Sequence, residues 1–160
     1  MTNSLSVSAQ REREILMTRR FNAPRARVFD AWTKPEILTR WLYGPDDWSL
    51  AVCEVDLRVG GALRFVWRQD DGAEMGMSGV YKEIAPAERI VHTELFDEDW
   101  TGGETLVTVT LSEDAGTTTC TQTVLYSSRD VRDAVLKSPM ADGLAQTYDR
   151  LDALLASIAS

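Results

Sequence analysis

A chain of 160 residues, 44% apolar and 26% charged, has the length and balance of one globular domain whose core is large enough to fold unaided. Its net charge of −8 and the lack of a dense Lys/Arg cluster exclude a protein that neutralises a run of phosphates, so no nucleic-acid partner is expected. No stretch approaches the ~18 apolar residues of a membrane span, and the opening MTNSLSVSAQRERE lacks an apolar signal core, so a cytoplasmic protein is expected.

The charge is unevenly spread. Residues 1–68 hold 11 basic against 8 acidic residues, and residues 69–160 hold 6 against 17. A solvated acidic surface explains this, and a means of steering a partner or a second copy of the chain is the other reading. Cys53 and Cys120 stand far apart without CxxC or histidine spacing, so both are expected as free thiols.

Residues 1–12 are polar and aperiodic and are expected to form a flexible tail, leaving 13–160 as the single domain. The partly alternating Glu14–Phe21 reads as a strand. Asn22 then offers a helix cap and Pro24 suits a first helical turn, with Val28, Phe29 and Trp32 at helical spacing. A second short helix follows Pro35, with Ile37, Leu38, Trp41 and Leu42 on one face. From Trp48 to Tyr126, six strands are expected at 48–57, 62–69, 75–84, 89–96, 104–112 and 117–127. The breaks between them, among them Gly60-Gly61 and the hairpin turn Trp100-Thr101-Gly102-Gly103, are short enough to join antiparallel neighbours.

Alternation assigns faces. Leu63, Phe65 and Trp67 point inward while Arg64 and Arg68 point out. By the same test Cys53, Val55 and Leu57 face in, as do Met75, Met77, Gly79 and Tyr81, and Val107, Val109 and Leu111. In the last strand Cys120, Gln122, Val124 and Tyr126 are taken as internal, against a face that is nearly all threonine. After Asp130 the period becomes helical, with a short opening helix around Val131, Val135 and Leu136 that Pro139 interrupts. Met140, Leu144, Tyr148, Leu151, Leu155 and Ile158 then form the stripe of one long amphipathic helix. A concave sheet face and an amphipathic helix must bury each other, which makes this an α+β protein.

The segments FNAPRARVFDAWTKPEILTRW (21–41), GGALRFVW (60–67), GVYKEIAPAERIVHTELF (79–96) and SSRDVRDAVLKSPMADGLAQTYDRLDALL (127–155) carry a resemblance to the START-like, or SRPBCC, superfamily of helix-grip proteins. The branch they resemble is the bacterial one named after the C-terminal domain of the Hsp90 ATPase activator. The resemblance implies a seven-stranded curved antiparallel sheet gripping the C-terminal helix, with the two short helices after strand 1. It also implies a space between sheet and helix that holds lipids, polyketides or other apolar molecules. The family pattern is structural and carries over no catalytic residue.

Among the chemical motifs, His92-x-Glu94 lacks the PCxxC partner of a zinc deaminase, and His92 is expected to be structural. One histidine and two scattered cysteines cannot assemble a zinc site, so no metal and no cofactor are expected. Asp97, Glu98 and Asp99, with Glu104, match no calcium loop and read as a solvated turn. Gln122, Tyr81 and Tyr126 are polar groups assigned to the interior, where an unpartnered one costs ~1–3 kcal/mol. They hydrogen-bond one another or a water, or they orient a ligand. Phe65, Trp67, Met77 and Met140 would be the walls of that site.

Binding of an apolar small molecule is therefore the leading expectation. A polyketide-cyclase-like enzyme is the alternative, whose mark would be an inward Asp or Glu with a raised pKa. Glu54 is assigned outside and Glu94 is left without a face. A chaperone-interaction module, suggested by the family name, and a homodimer remain further readings.

Overall fold

The computed structural model describes residues 4–98 and 103–157. Asp99 of the expected acidic turn, residues 100–102 of the expected hairpin turn, and Ile158 of the helical stripe lie outside them. In chain order the elements are β1 (Ser6–Gln10), β2 (Glu14–Phe21), α1 (Arg25–Thr33), α2 (Pro35–Leu38), β3 (Trp48–Val55), β4 (Ala62–Gln69), β5 (Glu74–Ala85), β6 (Arg89–Phe96), β7 (Thr105–Asp114), β8 (Thr117–Leu125), α3 (Arg129–Lys137) and α4 (Met140–Ser157). The strands form one antiparallel sheet in the order β1-β2-β8-β7-β6-β5-β4-β3. Bulges between Leu50 and Val52 and between Tyr81 and Glu83 help curve it.

The sheet has eight strands, one more than the resemblance implies. The extra one is β1, in the segment expected as a flexible tail. It pairs with β2 from Ser6↔Thr18 to Gln10↔Glu14. Its ladder is braced from a distance, because the buried Arg132 of α3 donates to the carbonyls of Gln10, Arg11 and Glu14, the last at 2.9 Å. Three backbone acceptors and the Asp133 carboxylate at 2.7 Å satisfy a guanidinium that could not otherwise stay buried.

Helix α1 begins without the expected cap. Pro24 occupies the N-cap position and supplies no side-chain bond, while Glu113 Oε1, near the end of β7, accepts from the Arg25 amide at 2.8 Å. Ser128 does cap α3 in the usual way, accepting from Val131 N.

Helix α4 is fixed to the concave face by packing and by charge. Leu151 and Leu155 are fully buried. On β2 the buried Arg19 reaches Asp149 at 2.7 Å and Asp152 at 3.3 Å, two carboxylates one helical turn apart. Such a pair adds little net stability but fixes the helix register, since a slip would strand the buried guanidinium. Phe21, Trp32, Trp41 and Tyr148 meet at ring separations of 4.8–6.2 Å and join β2, α1, the segment after α2, and α4.

Two face assignments change. The β3 bulge shifts the alternation, so Leu50 is buried opposite Trp67, while Leu57 lies past the strand end and is 41% exposed. Met75, opposite Trp67 on β5, is also exposed, unlike Met77 two residues further into the sheet.

Candidate functional site

Sheet and helix do not interdigitate fully. They enclose a cavity of about 260 Å³. All seven residues proposed as a site from the sequence line it. Phe65 and Trp67 come from β4, Met77 and Tyr81 from β5, Gln122 and Tyr126 from the β8 end, and Met140 from the start of α4. The alternation of each strand puts them there, and β4 shows it best, with Leu63, Phe65 and Trp67 buried between outward arginines.

The walls are apolar and largely fixed. Trp67 Nε1 donates to the Leu42 carbonyl at 2.9 Å, and its ring packs edge-on to Phe65 and stacks on Phe96. The segment after α2 that supplies Trp41 and Leu42 is held to α4 by Arg150. That side chain donates to the Trp41 and Gly44 carbonyls at 3.2 and 3.0 Å and lies 3.8 Å above the Tyr43 ring.

The polar lining is concentrated on the sheet. Tyr148 donates from α4 to Gln122 Oε1 at 3.0 Å, and Gln122, which lines the cavity, has no hydrogen bond from its amide N–H₂ to the described residues. The hydroxyls of Tyr81 and Tyr126 likewise make no hydrogen bond to the described residues. Burial, reinforced by Cys53 nearby, pushes the Tyr81 phenol up to about 12. Burial and the neighbouring Glu94 charge do the same for Tyr126, again to about 12. Both therefore stay protonated and act as donors at any ordinary pH.

Sequence reasoning missed two residues of this wall, His92 and Glu94. Ile90, His92, Glu94 and Phe96 alternate along β6 and all line the cavity. His92, expected to be structural, does have a structural bond: Nδ1 lies 3.1 Å from the Thr93 carbonyl and must donate to it, since a carbonyl only accepts. The same ring sits edge-on to Tyr81, its cross-strand partner, and also faces the cavity. Glu94 Oε2 stands 3.9 Å from His92 Nδ1, and no Lys or Arg among the described residues pairs with the Glu94 carboxylate. The Glu94 side chain lies deep under protein atoms, yet 27% of it remains accessible because it borders the cavity. Burial raises its pKa, and His92 only partly opposes this.

The raised carboxyl predicts a pH-dependent stability. The folded chain retains a proton on Glu94 at pH values where the unfolded chain has released it, so stability falls as pH rises from the ordinary value of 4.5 through the folded one. Glu94→Gln cannot ionise and should lose that slope. The difference in melting temperature, variant minus wild type, should grow from pH 4.5 towards neutrality. A difference independent of pH would show that Glu94 titrates as it does in the unfolded chain.

Asp97, from the acidic run expected as a solvated turn, is engaged by a cation of the chain itself. Arg64 binds Asp97 through two 2.7 Å contacts on the outer face of the sheet. That guanidinium holds the Asp97 carboxyl below its usual range, chiefly by hydrogen bonding. No described helix is long and apolar enough to cross a membrane.

The family model described as activator of Hsp90 ATPase homolog 1-like protein matches residues 22–156. No curated protein matches the chain. Among solved structures, a protein from Rhodobacter sphaeroides is 33% identical, with a TM-score of 0.92 over 97% of this chain and 99% of that one. A protein from Chromobacterium violaceum is 29% identical, with a TM-score of 0.75 over 88% and 96%. An AHSA1-like protein from Aeromonas hydrophila, 20% identical with a TM-score of 0.68 over 87% and 93%, shares the fold.

Proposed function

This chain belongs to the family of activator of Hsp90 ATPase homolog 1-like proteins, and we propose that it binds an apolar small molecule bearing at least one polar oxygen between the sheet and α4. The observation that supports this is the cavity itself. Its volume of about 260 Å³ exceeds the ~150 Å³ that holds a benzene in an apolar protein interior. It fits a compact one- or two-ring molecule better than a long acyl chain. Trp67, Phe65, Met77 and Met140 would take up the apolar surface. The Tyr81 and Tyr126 hydroxyls and the Gln122 amide, all donors, would hold an acceptor oxygen.

Native mass spectrometry of the protein purified from its own host tests this reading. A single added mass of small-molecule size, lost on denaturation and weakened in Trp67→Ala, is expected. An added mass retained equally by Trp67→Ala, Tyr81→Phe and Gln122→Ala would place the ligand elsewhere.

A further inference from the structure

We infer that Glu94, beside His92, moves a proton on the molecule bound in the cavity, and that this molecule is an apolar ketone with an acidic C–H beside its carbonyl. The inference rests on the reading of the cavity as a ligand site and goes one step past it, from binding to reaction.

An unpaired carboxyl on an apolar wall is costly to keep, and its usual remedy is a basic partner or a hydrogen bond. Among the described residues Glu94 has neither an arginine nor a lysine partner, and its side chain meets open space at the cavity. His92 stands 3.9 Å away on the same strand face, with Nδ1 committed to the Thr93 carbonyl. That bond fixes the neutral tautomer, in which Nε2 is the acceptor. The cavity thus holds two proton acceptors side by side on β6. The other polar groups lining it include two phenols and an amide N–H₂, which are donors. A carbonyl compound uses both sets at once, its oxygen held by the donors and the C–H beside the carbonyl facing the acceptors on β6.

The reaction follows from that division. Ionised Glu94 takes the proton from the carbon next to the carbonyl. The C–H electron pair becomes a C=C bond, and the carbonyl π pair moves onto oxygen. Tyr81, Tyr126 or the Gln122 amide donates a hydrogen bond to the resulting enolate oxygen, the place where negative charge develops. The proton then returns from Glu94 to the same carbon, or to the far end of a conjugated enolate, which shifts a double bond. Protons and electrons balance without an oxidant, reductant or second substrate. Burial that raises the Glu94 pKa also makes its ionised form a stronger base near neutral pH.

The test uses 2-tetralone and 2-indanone, two-ring ketones with acidic α-hydrogens. Binding is read from tryptophan emission, and loss of the α-C–H signal in D₂O is read by NMR above the buffer rate. Wild type should bind at least one of them saturably and speed exchange by about 10²-fold or more, the usual contribution of a positioned base. Glu94→Gln should bind with affinity within about threefold of wild type, keep its far-UV spectrum, and lose the exchange. His92→Gln should bind and exchange more slowly. Bound ketone that exchanges at the buffer rate, or a Glu94→Gln protein as active as wild type, overturns proton transfer while leaving the binding reading intact. Absence of saturable binding by both ketones overturns the proton-transfer inference for this substrate class, and the mass-spectrometric result then stands separately for binding.

Discussion

Replacing Trp41 by alanine should lower stability by about 3–5 kcal/mol, the largest single-residue effect expected in this chain. Trp41 is 1% exposed and packs against Trp32 at 4.8 Å and Tyr148 at 6.2 Å, so truncation removes the centre of the cluster that joins α1 to α4. It also removes a hydrogen bond with a specific reason to exist. The Ala31 carbonyl would normally accept from the amide of residue 35, but that residue is Pro35 and has no N–H. Trp41 Nε1 supplies the missing donor at 3.0 Å. Trp41→Phe keeps most of the packing and leaves the buried carbonyl unpaired, so it should cost less, about 1–3 kcal/mol. Chemical denaturation of the two variants should therefore give two distinct midpoints below wild type. Equal and small losses would mean that the segment after α2 is not packed on the core.

The second large effect separates the two halves of α4. Leu151→Ala should cost about 2–5 kcal/mol, because Leu151 is fully buried where helix and sheet are in contact. Leu144→Ala should cost clearly less. Leu144 is only half-buried and borders the cavity, so part of its surface has no protein neighbour to lose. Both residues belong to one apolar stripe, and periodicity alone predicts the same cost for each. Equal destabilisation would mean that the cavity is filled along the whole helix.

The sheet was legible wherever one face was clearly apolar. In β4 and β7 the inward residues alternate with arginines or threonines, and the expected and observed faces agree. Strand β8 was read correctly from its threonine face, with Cys120, Gln122 and Val124 buried. Strand β1 was missed although Leu5 and Val7 alternate with serines and pack against the core, because so short an alternation at an edge gives only a weak strand signal. Its support comes from Arg132, more than a hundred residues away. The inside of β3 was misjudged at Leu57 because the strand ends at Val55 and the alternation has no meaning past it, and at Leu50 because a bulge shifts the alternation without leaving a mark in the sequence.

The candidate site divides in the same way. Its apolar walls followed from strand parity, but β6 carries apolar residues on both faces, Ile90 and Phe96 on one and Val91 and Leu95 on the other. Pattern alone could not choose between them, so Glu94 had no assigned face and His92 was read as structural. Register with Tyr81 on β5 and Thr105 on β7 decides the matter in three dimensions.

The central claim is that the space between the sheet and α4 is an occupied site and not a packing defect. Titration of the apolar dye N-phenyl-1-naphthylamine into wild type and into Val107→Trp tests it most directly. Val107 is buried on β7 opposite His92 and lines the cavity, so an indole at this position fills the space from the sheet side. Wild type should show one saturable site of micromolar affinity with altered dye emission. Val107→Trp, with an unchanged far-UV spectrum, should lose it. Dye binding of the same stoichiometry and affinity in both proteins would contradict the account.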